Sequence, residues 1–367
     1  MIPVFKPILS GQEKKNLADC VNSKWFSSNG KYNYLLEKKF SKLTSRRFSS
    51  AVSNGTVALE LAVRSLEIPA GSEVIVPTFT IISPIIALLK NDLKPVLVDL
   101  ESKYWTISIK DLENKITKKT KAILLVHIYG FPANMNEVLK IKKKYNLKLI
   151  EDAAEMHGQF FKNKPCGSFG EISTFSFYSN KFISSGEGGI ICTNNLIIKK
   201  KIDNLRNLSF GKSNRFKHQE IGYNFRMSNL QAAVAFAQIK NLKKIINIKR
   251  KVGKLYNRLF KNNSNIEILP YKNNFSINIY WIYGIIIKNN IKNRLVKHLN
   301  KKNIQTRDFF VGMHNQPILN KMGIINKKYK FPISDKLEKN GIYIPSGPNI
   351  TKKEILYVAN TINKFFK

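Results

Sequence analysis

Three features of this chain could do chemistry together: a lysine, a carboxylate, and a short polar run that opens a helix. Lys181 follows Ser173-Thr-Phe-Ser-Phe-Tyr-Ser179, in which Phe175 and Phe177 alternate as strand residues do, and it precedes the glycine-rich Gly186-Glu-Gly-Gly189. The pattern puts its amine on a turn held by a rigid strand. Alone, Lys181 would read as one more surface lysine in a lysine-rich chain, but three other stretches change its meaning. Leu147-Lys-Leu-Ile-Glu-Asp152 reads as a buried parallel strand with Asp152 at its C-terminal tip, where open α/β sheets keep their ligands. Ser53-Asn-Gly-Thr56 runs directly into a helical pattern over 57–66. The free amides and positive dipole end at Gly55 and Thr56 are therefore available to a phosphate. Gly222-Tyr-Asn-Phe-Arg-Met-Ser228 is a polar and aromatic loop before a long helix.

An amine, a strand-end acid and a phosphate cradle are what pyridoxal 5'-phosphate requires. The amine bonds its aldehyde carbon, the acid keeps its pyridine nitrogen protonated, and the cradle anchors it. Protonation at the ring nitrogen lets the ring draw electron density from a carbon that loses a proton.

The elements that must position these groups follow from periodicity. Strands over 74–77, 95–99 and 122–126, and a helix over about 135–145, alternate as in a parallel, helix-covered sheet. Residues 11–48 read as a helix, a loop around Trp25-Phe-Ser-Ser-Asn-Gly30, and a second helix ending at Arg46 and Arg47. Ser228-Asn-Leu-Gln231 is a capping box that opens a long helix. The boundary between a large domain, 1–242, and a small C-terminal domain, 243–367, is placed inside that helix. Beyond it, strands are expected over 277–287, a helix over about 291–300, and a last helix from Lys352.

Composition narrows the class. The chain has 367 residues, long enough for two domains, and 43% hydrophobic content without a long apolar run, which argues for a soluble protein with no membrane insertion. The first residues carry neither a basic leader nor a small-residue cleavage site, and a cytoplasmic location is the expectation. Cys20, Cys166 and Cys192 are odd in number and lack metal spacing, so buried free thiols are expected and no metal site. Against 24 acidic residues stand 62 basic ones, a formal +38. Lysine dominates and the basic residues are scattered in pairs and triplets such as 142–144, which argues against specific nucleic-acid recognition. The dispersed field would still attract an anionic substrate.

At these residues the chain resembles the DegT/StrS family of nucleotide-sugar aminotransferases, and within it the perosamine-synthase group of sugar C4 aminotransferases. The resemblance runs from Ile2 to the last helix. It is carried by Ser53-Asn-Gly-Thr56, Glu73-Val-Ile-Val-Pro-Thr78, Val126-His-Ile-Tyr-Gly-Phe-Pro132, Glu151-Asp-Ala-Ala-Glu155, Gly167-Ser-Phe-Gly170, Lys181, Gly186-Glu-Gly-Gly189 and Gly222-Tyr-Asn-Phe-Arg-Met227. It implies fold type I of the pyridoxal-phosphate enzymes, an aspartate aminotransferase-like α/β fold with a mostly parallel central sheet and a smaller α+β domain. Lys181 would be the catalytic lysine and Asp152 the partner of the ring nitrogen. Glu155, where many relatives carry glutamine, would meet the ring's 3-oxygen. Ser176 would bind the phosphate, and so would Asn224 from the neighbouring subunit of a homodimer with shared active sites.

Two small-domain residues, Arg307 and His314, are candidates for substrate contact, with a salt bridge or buried hydrogen bond as the alternative for each. His157 is read as a core histidine. Relatives place an aromatic ring over the cofactor at the position of Ile81; here Ile81, or Phe79 if the strand continues, would cover it. The implied reaction moves an amino group from an amino-acid donor, glutamate by family habit, to a keto sugar on a nucleoside diphosphate. Sugar 3-dehydratases share the fold but carry histidine in place of the lysine. A non-enzymatic anion- or nucleic-acid-binding protein on the same scaffold is the other alternative.

Overall fold

Strands rich in Val, Ile and Leu and buried on both faces need helices above and below them. The computed structural model, which describes residues 1–211, 214–326 and 328–367, has that arrangement. Its large sheet is built from β1 (Phe48–Val52), β2 (Glu73–Pro77), β3 (Lys94–Val98), β4 (Thr120–Val126) and β5 (Lys148–Asp152). After a short hairpin, β6 (Phe160–Phe161) with β7 (Lys164–Pro165), come β8 (Ile172–Ser176) and β9 (Gly189–Thr193). The seven long strands lie in the order β1-β9-β8-β5-β4-β2-β3, and only β9 runs against its neighbours. Because β5 and β8 are parallel, with Asp152 paired to Thr174, the Asp152 tip and the turn after Ser176 emerge at the same edge.

Helices α1 (Gln12–Asn22), α2 (Lys31–Leu43), α3 (Gly55–Ser65), α4 (Ser83–Leu89), α5 (Ile109–Asn114), α6 (Met135–Lys144) and α7 (Leu196–Leu205) accompany this sheet. The long helix is α8 (Asn229–Leu259), opened by the Ser228 and Gln231 capping box that its sequence predicts. Its Ile239, Leu242, Ile245 and Ile246 join the main core, whereas Val252 and Tyr256 join a second core in the small domain. There β10 (Ile266–Ile268), β11 (Tyr283–Ile287), β12 (Arg307–Asp308) and β13 (Gly341–Ile344) form an antiparallel sheet. It is accompanied by α9 (Lys292–Lys301), α10 (Pro317–Lys321), α11 (Pro332–Asn340) and α12 (Lys352–Phe365). The first residues of the chain also pack here: Ile2 bridges Ile304, and the Val4 carbonyl accepts the Ser346 amide.

Two elements differ from their sequence reading. Helix α2 stops at Leu43, because Ser45 takes a left-handed conformation (φ 53°) and turns Arg46 inward to carbonyls of the 167–170 loop. Of the 277–287 run only the last five residues form a strand. Asn278 Oδ1 accepts the Tyr280 amide at 2.7 Å, Tyr280 is left-handed (φ 51°), and Ile279 donates to Gly130 instead of a strand partner. All three cysteines are free and buried. Among the described residues no helix is long and apolar enough to cross a membrane, and no cluster of His, Cys, Asp and Glu could hold a metal ion.

Candidate active site

The turn after β8 closes through the Lys181 amide, which donates to the Tyr178 carbonyl at 2.9 Å. The Trp281 indole N–H buttresses it from the small domain by donating to the Asn180 carbonyl at 3.0 Å. The Lys181 amine lies 3.9 Å from the centre of the Trp281 ring and 3.9 Å from Glu155 Oε1, with only 11% of its side chain exposed. Burial lowers its pKa by disfavouring the ammonium, while Glu155 and Asp152 pull the other way.

Glu155 is held by the Tyr129 amide, which donates to Oε2 at 2.8 Å. Burial raises its pKa to about 7, against the pull of Lys181. Asp152 is also raised, again by burial, with the Ala154 amide and Lys181 opposing. That amide, at 3.1 Å, is the only hydrogen bond its carboxylate accepts among the described residues. One oxygen is therefore left for a donor from outside the chain, as a protonated pyridine nitrogen would supply.

Helix α3 begins directly after β1, and Asn54 caps it by accepting the Val57 amide at 3.0 Å. The Gly55 and Thr56 amides have no acceptor among the described residues. A Cβ at Gly55 would stand 2.9 Å from Ser176 Cβ, so glycine is what lets this helix end approach the Ser176 hydroxyl. The Ser176 oxygen accepts the Tyr178 amide at 3.2 Å, which leaves its proton to donate, and the Thr56 hydroxyl is paired with Ser83 at 2.8 Å. Two amides at a helix end beside a serine hydroxyl suit a phosphate. The residues present therefore fit pyridoxal phosphate.

The remaining candidates lie elsewhere. Asn224 is on an exposed loop, its backbone bridged to Asn207, and makes no hydrogen bond to this group within one chain. Arg307 is exposed and, with Tyr178, Trp281, Tyr343 and Ser346, lines a cavity of about 160 Å³ that shares the Trp281 wall with Lys181. His314 has both ring nitrogens engaged, by Thr78 at 2.7 Å and Asp335 at 2.8 Å, and stacks on Phe331.

Strand β2 ends at Pro77, and Phe79 turns into the core against Tyr129, Phe309 and Phe310, while Ile81 is 53% exposed. His157 is enclosed by Phe40, Phe175 and Phe177, and neither ring nitrogen meets hydrogen-bond geometry, although the Ser176 backbone is close enough to favour its charge. Burial and then the Lys181 charge push its pKa down to about 3, so it stays neutral.

Two residues in the site escaped the sequence reading. Tyr129 belongs to the motif 126–132 and holds Glu155 through its backbone, a role no side-chain pattern announces; it does so in a left-handed conformation (φ 56°) beside Gly130. Trp281 carried none, since it reaches Lys181 from a hundred positions downstream.

A buried lysine with a lowered pKa, two buried acids and free helix-end amides at the tips of a mostly parallel sheet place this protein in the class of pyridoxal-phosphate enzymes of fold type I. Residues 7–363 match the DegT/DnrJ/EryC1/StrS aminotransferase family. Across its whole length the chain is 37% identical to the GDP-perosamine synthase of Escherichia coli O157:H7, of which it covers 98%. It is 36% identical to that of Vibrio cholerae, covering 100% of this chain and 99% of that one. A solved GDP-4-keto-6-deoxymannose-3-dehydratase variant with bound GDP-perosamine superposes with a TM-score of 0.92 at 26% identity, over 99% of this chain and 100% of that chain. The chain belongs to the DegT/DnrJ/EryC1/StrS aminotransferase family.

Proposed function

We propose that this pyridoxal-phosphate-dependent nucleotide-sugar aminotransferase transfers an amino group from glutamate to C4 of a GDP-linked 4-keto-6-deoxyhexose. It would do so in the cytoplasm, for surface-polysaccharide synthesis. Similarity to two GDP-perosamine synthases over the full chain supports the GDP-sugar and the C4 position. The observation that carries the mechanism is the convergence of Lys181 and Glu155, 3.9 Å apart, beside an Asp152 carboxylate with a free oxygen.

When bound, pyridoxal phosphate supplies an electrophilic carbon and a ring that accepts electrons. Lys181 would hold that carbon through its amine and, once free, would carry a proton between the donor's Cα and the cofactor's C4′. Its lowered pKa keeps more of the amine neutral, as both tasks require. Asp152 would hold the ring N–H, and Glu155, fixed by Tyr129, would meet the ring's 3-oxygen. Gly55, Thr56 and Ser176 would hold the phosphate. Arg307 and the cavity beside Trp281 take part of the substrate. We also infer a homodimer in which Asn224 of one subunit completes the phosphate site of the other, and a domain boundary near residue 243.

The test is a panel of GDP-, UDP- and dTDP-linked 4-keto sugars incubated with the reconstituted protein and L-glutamate and followed by mass spectrometry. GDP-4-keto-6-deoxymannose should gain an amino group with one 2-oxoglutarate formed per sugar, and K181A should abolish this. Amination of UDP- or dTDP-sugars alone would overturn the substrate reading. Loss of the sugar's 3-hydroxyl without gain of nitrogen would mean a dehydratase, a reaction that the lysine at 181 disfavours.

A further inference from the structure

Lys249 lies on α8 between Ile246, the last helix residue in the main core, and Val252, in the small domain's core. It is 1% exposed, and no carboxylate meets it among the described residues. Lysine is almost never so buried without an acid partner. Its ammonium donates instead to the carbonyl of Ser346 and, at 3.2 Å, to the hydroxyl of the same residue. Ser346 lies just past the end of β13 and is tied on three further sides. Its oxygen accepts the Tyr283 amide at 3.1 Å, its own amide donates to Val4 at 3.1 Å, and the adjacent Pro345 carbonyl accepts the Tyr256 hydroxyl at 2.8 Å.

The same Ser346 lines the cavity that Tyr178, Trp281, Arg307 and Tyr343 enclose beside Lys181. With two donors already on its oxygen, the Ser346 hydroxyl has no acceptor for its own proton among the described residues, and that proton is left for a ligand. We propose that Lys249 is a positioning residue for the reaction at Lys181: by donating to Ser346 it fixes the wall of the substrate cavity and turns the serine hydroxyl outward. The proposal rests on the reading of that cavity as part of the substrate site.

Charge state matters to this arrangement. A charged lysine can only donate, whereas a neutral one carries a lone pair that can capture the serine proton and turn the hydroxyl away from the cavity. Burial lowers the Lys249 pKa to about 7. Other titratable groups on the surrounding elements are committed elsewhere. Arg250 reaches Gln159, Tyr283 donates to Asn257, Tyr256 donates to Pro345, Glu354 caps α12, and Lys6 is exposed. Lys249 should thus be charged at pH 6 and largely neutral at pH 8.

The experiment compares wild-type holoenzyme with K249M and K249Q in steady-state assays from pH 6 to 8, and compares hydrogen exchange of the apo-proteins over the same range. In wild type the sugar KM should rise about fivefold across this interval, the difference between a charge-assisted and a neutral hydrogen bond. K249M should show the high KM at every pH with kcat within about twofold, and K249Q, which donates without titrating, should show a flat KM between the two. Exchange at residues 283 and 346, corrected for intrinsic rates, should accelerate above pH 7 in wild type, while K249Q removes that step. If K249M does not fold, K249Q alone decides. An unchanged pH step in K249Q, or K249M with wild-type KM and reduced stability only, would overturn the proposal. No turnover by wild type on any sugar would instead fault the assigned reaction, and the exchange data would still judge Lys249.

Discussion

Glu151 and Asp152 are consecutive carboxylates on β5, both buried, and strand alternation sends them to opposite faces of the sheet. Glu151 is saturated. It accepts the Gly167, Phe169 and Gly170 amides at 2.9, 2.6 and 2.7 Å and lies 3.6 Å from Arg46, which itself donates to the carbonyls of Gly167 and Gly170. His127 completes the set at 3.4 Å. Its Nδ1 accepts the Ala133 amide, so the ring proton lies on Nε2 and points at Glu151. Burial alone would raise the pKa of Glu151, yet these donors and the Arg46 charge bring it below the ordinary value. Asp152 has one amide and a raised pKa. A satisfied buried acid holds a loop, while an under-satisfied one waits for a ligand.

Exchanging each acid for its amide is the strongest way to break this comparison. D152N should lower kcat by on the order of 10³, since the ring nitrogen loses its counter-charge, while the apo-protein is at least as stable as wild type at pH 7.5, because burial already disfavours the Asp152 charge. E151Q should cost about 3 kcal/mol of folding stability by leaving Arg46 unpaired, with activity per folded molecule within about tenfold of wild type. Urea titration and single-turnover kinetics would read both. Equal stability losses would erase the distinction.

A smaller effect sharpens the comparison through pH. The pKa of Glu155 rises from 4.5 to about 7 in the folded chain. Its contribution to stability is therefore fully present below pH 4.5 and is lost as pH climbs through 7. E155Q removes that loss, so from pH 5 to 8 the apo-variant should gain on wild type by on the order of 1 kcal/mol. Glu151 has the opposite sign: its lowered pKa stabilises above its ordinary value and fails as pH falls. The deficit of E151Q should accordingly shrink in acid. Thermal midpoints across this range would check both slopes. Smallest of all, S83A should weaken cofactor retention about threefold by freeing the Thr56 hydroxyl beside the phosphate cradle, measured by fluorescence titration.

What could be read from the chain follows from this difference. The Lys181 turn, the Asp152 tip and the Gly55 helix start are local: each is a strand end or helix end whose periodicity and breaking residues are contiguous. The motif over 167–170 was visible, but its partner was not, because the link between Glu151 and its amides exists only once the loop folds back under β5. Likewise nothing in 277–282 distinguishes a strand from the loop that carries Trp281 to Lys181, since its form depends on the contact of Ile279 with Gly130.

The sequence by itself determined the sheet, the groups that stand at its tips and the family, because apolar period and turn residues act over a few positions. Tertiary structure alone decided which of two adjacent acids is free, what lies over the lysine, and why a buried Lys249 meets a serine and, among the described residues, no acid. Those outcomes depend on desolvation and on donors brought from distant segments, and neither is written in the neighbourhood of the residues they control.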